Sequence, residues 1–123
     1  TGALKNIMGV STRKVNVTFH LGSGTKNDPE YLAQCIVDQN LLKKTNLCIM
    51  DATEFITNNG PSGPGDIRTE NKIVVGTDIV AIDSLCSHYV GYEHDEILTS
   101  VLGNQAGLGM LDFSKLNILE LTA

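Results

Sequence analysis

Leu47-Cys48-Ile49-Met50-Asp51 and Lys72-Ile73-Val74-Val75-Gly76-Thr77-Asp78 decide how this chain is read. Each is a short apolar run closed by an acidic residue. Short continuous runs of this kind read as buried strands, and strands covered on both faces belong to parallel sheets. The segment between them, Ala52 to Asn71, shows neither helical nor strand periodicity. It has the length of a parallel crossover, and irregular segments this long inside a domain are functional or disordered. With parallel strands, Asp51 and Thr77-Asp78 lie together at the carboxyl edge of the sheet, where open α/β folds bind ligands.

Outward from these runs the signals are those of helix boundaries. Thr77 or Asp78 caps a helix over Ile79 to Val90, and a further helix over Glu93 to Gln105 is ended by Gly107 and Gly109. Leu116 to Leu121 reads as a last strand. On the other side, Asn27 or Asp28 with Pro29 behind it starts a helix that runs to about Leu42, with Lys43-Lys44 at the negative end of its dipole. Val15 to Leu21 alternates between apolar and polar residues, as a half-buried strand does, and Gly22-Ser23-Gly24 ends it. Residues 2–8 form a short helix up to Gly9. The expected fold is therefore α/β: a layered sheet, at least partly parallel, with helices packed on it, in one domain over residues 1–123.

The composition narrows the function classes. Hydrophobic residues make up 41% and charged residues 19%, the balance of a globular chain. The net charge of −5, with Lys43-Lys44 as the longest basic run, argues against nucleic acid as a partner. No apolar run approaches the ~20 residues of a membrane span, so no membrane partner is expected. Cys35, Cys48 and Cys86 are widely spaced and contain no C-x-x-C pair. Each reads as a small buried hydrophobe, and a reducing, cytoplasmic location follows. The chain opens at Thr1 without a methionine, so its native N-terminus is expected to lie elsewhere.

Asn58-Asn59-Gly60-Pro61-Ser62-Gly63-Pro64-Gly65 is the candidate working loop. Its glycines allow backbone N–H groups to approach a ligand, and its prolines stiffen it. An anion cradle is one reading, and a divalent cation held by the nearby aspartates is another. The run matches neither phosphate-loop pattern, and a solvated turn held by Gly and Pro is the rival. Asp83 falls at the edge of the apolar arc Ile79, Ile82, Leu85, Cys86, Tyr89, Val90, with Ser84 and His88 towards solvent. A carboxylate there acts as an acid/base group or ligand, or else bonds a neighbouring loop. His20 is a ligand or proton carrier, or an ordinary polar-face residue. His88 and His94 read as surface residues.

Lys5-Asn6-Ile7-Met8-Gly9, His20, Ile49-Met50-Asp51-Ala52, Asn59-Gly60-Pro61-Ser62-Gly63, Gly76-Thr77-Asp78-Ile79-Val80-Ala81-Ile82-Asp83 and Gly107-Leu108-Gly109 follow one another in this order. The set resembles the family catalogued as "domain of unknown function 362", over nearly the whole chain and over the C-terminal part of the family's longer domain. Some members carry ferredoxin-like iron–sulfur segments, so the resemblance implies a redox-linked enzyme. This sequence has no such segment; a cluster would sit in another portion of the polypeptide or in a partner, and the cofactor is unknown. Carried over residue by residue, the implied site has Asp51, Asp83 and His20 as catalytic groups. Lys5, Asn6, Asn59, Gly60, Ser62, Gly63, Thr77 and Asp78 bind a small anionic ligand or a metal–ligand complex. Asp51 and Asp83 would hold a cation or exchange protons, Lys5 and the loop N–H groups would neutralise negative charge, and His20 would move a proton. Two departures bear on this. Ile79 stands where the pattern often has proline, and Phe55-Ile56-Thr57-Asn58 replaces a stretch that often holds glycine and glutamate, which removes an acidic group from the loop. The alternative is a non-catalytic module that docks onto another domain, a missing N-terminal portion or a second copy of itself.

Overall fold

The computed structural model describes residues 2–22 and 28–122. Helix α1 (Ala3–Asn6) runs into a 3-10 turn (Ile7–Val10), followed by α2 (Arg13–Leu21) and α3 (Pro29–Leu42). Strands β1 (Cys48–Ile56) and β2 (Ile67–Gly76) form a hairpin, and α4 (Ile79–Tyr89) and α5 (Leu98–Gln105) complete the fold before a last 3-10 turn (Phe113–Lys115). The fold is mixed α/β.

The capping signals hold. Asp28 accepts the N–H groups of Glu30 and Tyr31, with Pro29 in the first turn of α3. Asn27 and Gly24 lie outside the described residues. Asp78 caps α4 through Ala81 N–H at 2.9 Å. Helix α5 starts at Leu98 rather than Glu93, because Glu93–Glu96 form a turn closed by the Glu96 carboxylate on Glu93 N–H. Gly107, at φ +76°, ends α5: its N–H reaches Asn104 O while Leu108 N–H reaches Gly103 O, a Schellman turn.

Three expected elements are corrected. Val15 to Leu21 is helical, not a strand. Thr12 caps α2 by accepting Val15 N–H and Gly22, at φ +67°, stops it. Over so short a window Val15 and Phe19 also satisfy the i, i+4 spacing of a helix, and the caps at both ends decide. Leu116 to Leu121 forms no strand; it runs irregularly and largely exposed beside β2, where Glu120 lies 3.8 Å from Lys72.

The third correction is the sheet. Its two described strands are antiparallel, with Cys48 opposite Gly76, Met50 opposite Val74 and Ile56 opposite Ile67. Residues 52–71 are no crossover: half of them extend the strands and the other half turns the hairpin. Glu70 and Asn71 together face Thr53, a bulge with Asn71 at φ +54°. The extra residue breaks the alternation that would otherwise mark β2.

Helix α4 is the centre of the molecule. One side packs on the inner face of the hairpin, and the other on α1 and α5. Leu4, Met8, Ile36, Ile79, Val80 and Ile82 form the core. Because α4 is covered on both sides, Ser84, expected towards solvent, is fully buried. Gly103 of α5 lies under Val80 and Leu4: a Cβ there would stand 3.1 Å from Val80 Cγ2. No helix among the described residues is long and apolar enough to cross a membrane.

Candidate functional site

Asp83 is 5% exposed and its carboxylate faces the start of α1. It accepts Leu4 N–H at 2.9 Å and also Ala3 N–H. Burial pushes its pKa above the ordinary aspartate value, while the N–H groups of Leu4 and Ala3 pull the other way. The carbonyl of the same Leu4 is held by Asn40 of α3, whose Nδ2 donates to Leu4 O at 2.9 Å and to Ile36 O at 2.8 Å. Asn40 was not singled out from the sequence. Its signal there is an amide four residues after Ile36 on an otherwise apolar helix face. Lys5 and Asn6 ride on α1, Lys5 half-buried and Asn6 exposed.

Asp78 joins two of the motif pieces. Its Oδ1 accepts Ala81 N–H and its Oδ2 accepts Met110 N–H at 2.8 Å, so it ties the start of α4 to the turn after α5. Gly109 has no room for a side chain, since a Cβ would fall 1.9 Å from Asp78 Oδ1. Thr77 beside it is exposed.

Asp51 sits within the hairpin, opposite Ile73. Its Oδ1 accepts Thr53 N–H at 2.9 Å and the Thr53 hydroxyl at 2.7 Å. These two bonds hold its pKa below the ordinary value. The loop of residues 58–65 is the hairpin tip. Thr57 N–H donates to Asp66 O, and the Asn58 side chain both donates to the Asp66 carboxylate at 2.7 Å and accepts Asp66 N–H at 2.8 Å. Gly63 N–H donates to Asn59 O at 3.1 Å. Asn59, Gly60 and Ser62 are exposed. Gly65 is required sterically, because a Cβ would meet Asn58 O at 2.2 Å.

The structure thus brings Asp83 to the start of α1 and Asp78 to Gly109. The antiparallel hairpin separates the rest. From Gly76 to Ile67 the ladder spans about 30 Å at ~3.3 Å per residue, so the loop and Asp78 stand at opposite ends. The shared carboxyl edge expected for Asp51 and Asp78 requires parallel strands and does not form. His20 lies exposed in the last turn of α2.

The cysteines are all free and half-buried rather than fully buried. Burial first, then the charge of Asp83 and the neighbouring Cys48, pushes the Cys86 thiol up to about 12. That holds Cys86 as an inert thiol at neutral pH.

No curated protein and no solved structure matches the chain. A family model does, over residues 1–88, from α1 to the last turn of α4. By that match, which takes in the clip from Asp83 to α1, the chain belongs to the family described as "Domain of unknown function (DUF362)".

Proposed function

We propose that the chain is an assembly module whose hairpin is covered, on its outer face, by another domain of the same polypeptide or assembly. The observation that supports this is a set of uncovered apolar residues on regular secondary structure. Ile49 and Val75 stand directly opposite each other and are 66% and 57% exposed; Ile73, on the same face, is 56% exposed. A two-stranded sheet is marginal by itself, and these strands have no third neighbour among the described residues. Asp51 shares the face and the chain carries a net charge of −5, so the covering surface is apolar with a basic residue set against Asp51.

Magnitude selects the kind of partner. Burying what these three side chains expose is worth roughly 3–5 kcal/mol, at 1.5–3 kcal/mol for a wholly buried aliphatic side chain. Two independent molecules would associate only at about millimolar concentration on that basis. A tethered or pre-assembled neighbour meets the face at a high effective concentration, and the same energy is then sufficient.

Hydrogen exchange on the isolated chain, with binding of an apolar fluorophore such as ANS, tests the reading. Hairpin amides exchange much faster than those of α4, ANS binds, and Ile49→Lys or Val75→Lys removes the ANS signal without altering the far-ultraviolet circular dichroism. Protection of the hairpin equal to that of α4, with no ANS binding, means a sheet complete as it stands and ends the proposal.

A further inference from the structure

His88, Glu93 and His94 lie apart from every motif residue discussed above, around the end of α4. Each offers a ligand atom, and the three atoms lie within 4.8 Å of one another; among the described residues no other group of three His, Cys, Asp or Glu side chains does so. His88 Nε2 and Glu93 Oε2 are 3.9 Å apart. Two ligands on one tetrahedral zinc stand about 3.4 Å apart, given bonds of ~2.0–2.1 Å. The pair already in place is therefore about half an ångström wider than the metal requires, a difference that a rotation about side-chain bonds removes.

The backbone explains why residues five and six positions apart meet. Helix α4 ends in a second Schellman turn: Tyr92 N–H donates to Ser87 O and Gly91 N–H to His88 O, with Gly91 at φ +86°. The chain folds back over the last helical turn and delivers Glu93 and His94 beside His88. The turn is fastened from inside by the buried Ser87 hydroxyl, which donates to Ser84 O at 2.7 Å and lies 3.3 Å from Tyr92 O. From outside, the His88 ring packs edge-on against Phe113 at 5.2 Å between centroids, and His94 stands edge-on to His88 at 6.3 Å. Both histidines are half-buried and Glu93 is exposed.

We propose that His88, Glu93 and His94 form a zinc site. Two imidazoles and one carboxylate suit zinc and its first-row neighbours, whereas calcium and magnesium call for an all-oxygen set. Three protein ligands leave a fourth tetrahedral position for water or for a group from a partner. The metal fastens the end of α4 to the turn that leads into α5.

The test is calorimetric titration of the untagged, chelator-treated chain with zinc, with cobalt as the spectroscopic substitute. One equivalent of zinc binds. His88→Gln and His94→Gln each weaken binding at least about tenfold, since even the loss of a group behind a metal ligand costs that much. His20→Gln, on α2, leaves it unchanged. The cobalt form shows visible ligand-field bands without a thiolate charge-transfer band. Any of three results overturns the site: no saturable uptake of zinc, uptake that survives both histidine substitutions, or a thiolate band, which moves the metal to the cysteines.

Discussion

The helical cluster around α4 and the hairpin treat their side chains in opposite ways. In the cluster, two buried polar side chains are bonded to backbone: Asp83 holds the N–H groups of Ala3 and Leu4, and Asn40 holds Leu4 O. In the hairpin, aliphatic groups on the outer face are exposed beside Asp51, which is occupied by its own neighbour Thr53. Two of the three motif aspartates act as clips between elements, and the third shapes the strand it belongs to. On the outer face of the hairpin the side chains left uncovered are chiefly aliphatic: Ile49, Ile73 and Val75.

Removing the clip at Asp83 is the largest test of that contrast. Asp83→Ala leaves two buried N–H groups without an acceptor, at about 1–3 kcal/mol each. Stability by urea denaturation falls by roughly 2–6 kcal/mol; a loss below about 1 kcal/mol would mean that α1 is held chiefly by Leu4 packing. Asp78→Ala is smaller. It deletes the α4 cap and the bond to Met110 N–H, together about 1–2 kcal/mol, read from the same denaturation curves.

A third effect is one of pH. Burial raises the Asp83 pKa in the folded state, so folding favours the protonated carboxyl. The stability this contributes is complete below the ordinary value of 3.8 and is lost as pH rises through the raised folded value. The wild type therefore loses stability relative to Asp83→Asn as pH climbs upward from 3.8. A constant difference across that window would show that Asp83 ionises as readily folded as unfolded. At the small end of the comparison, Val75→Lys on the hairpin changes stability by no more than about 0.5 kcal/mol, as substitutions at exposed positions do.

What was legible in the sequence was what local chemistry fixes. Asp28-Pro29 and Asp78 start α3 and α4, and Gly107 ends α5, because caps act within one turn of their own residue. The direction of the strands was not legible. Ile49 and Val75 gave both runs the look of strands buried on two faces, when one face of each is open. The bulge at Asn71 hid the alternation of β2. Parallel strands would put Asp51 and Asp78 at one edge; in the antiparallel hairpin Asp51 lies within the ladder opposite Ile73, and the loop stands at the end far from Asp78. Asp83 was legible as a carboxylate at a core boundary, but its partner could not be read, since nothing in residues 2–8 announces where their N–H groups point. His88 and His94 read as surface residues because the fold-back at Gly91 is what brings Glu93 and His94 to His88.

The contact of Gly103 with Val80 and Leu4 bears on how the molecule can be divided. The family match stops at residue 88, yet the core does not. Ending the chain at that boundary would strip α5 from both residues and leave the sealed interior open along one side, while Asp78 would lose Met110. The cooperative unit of folding is therefore expected to extend to at least residue 110. A fragment cut at the edge of recognisable sequence would melt earlier and less sharply than the whole, however faithfully it kept the motif.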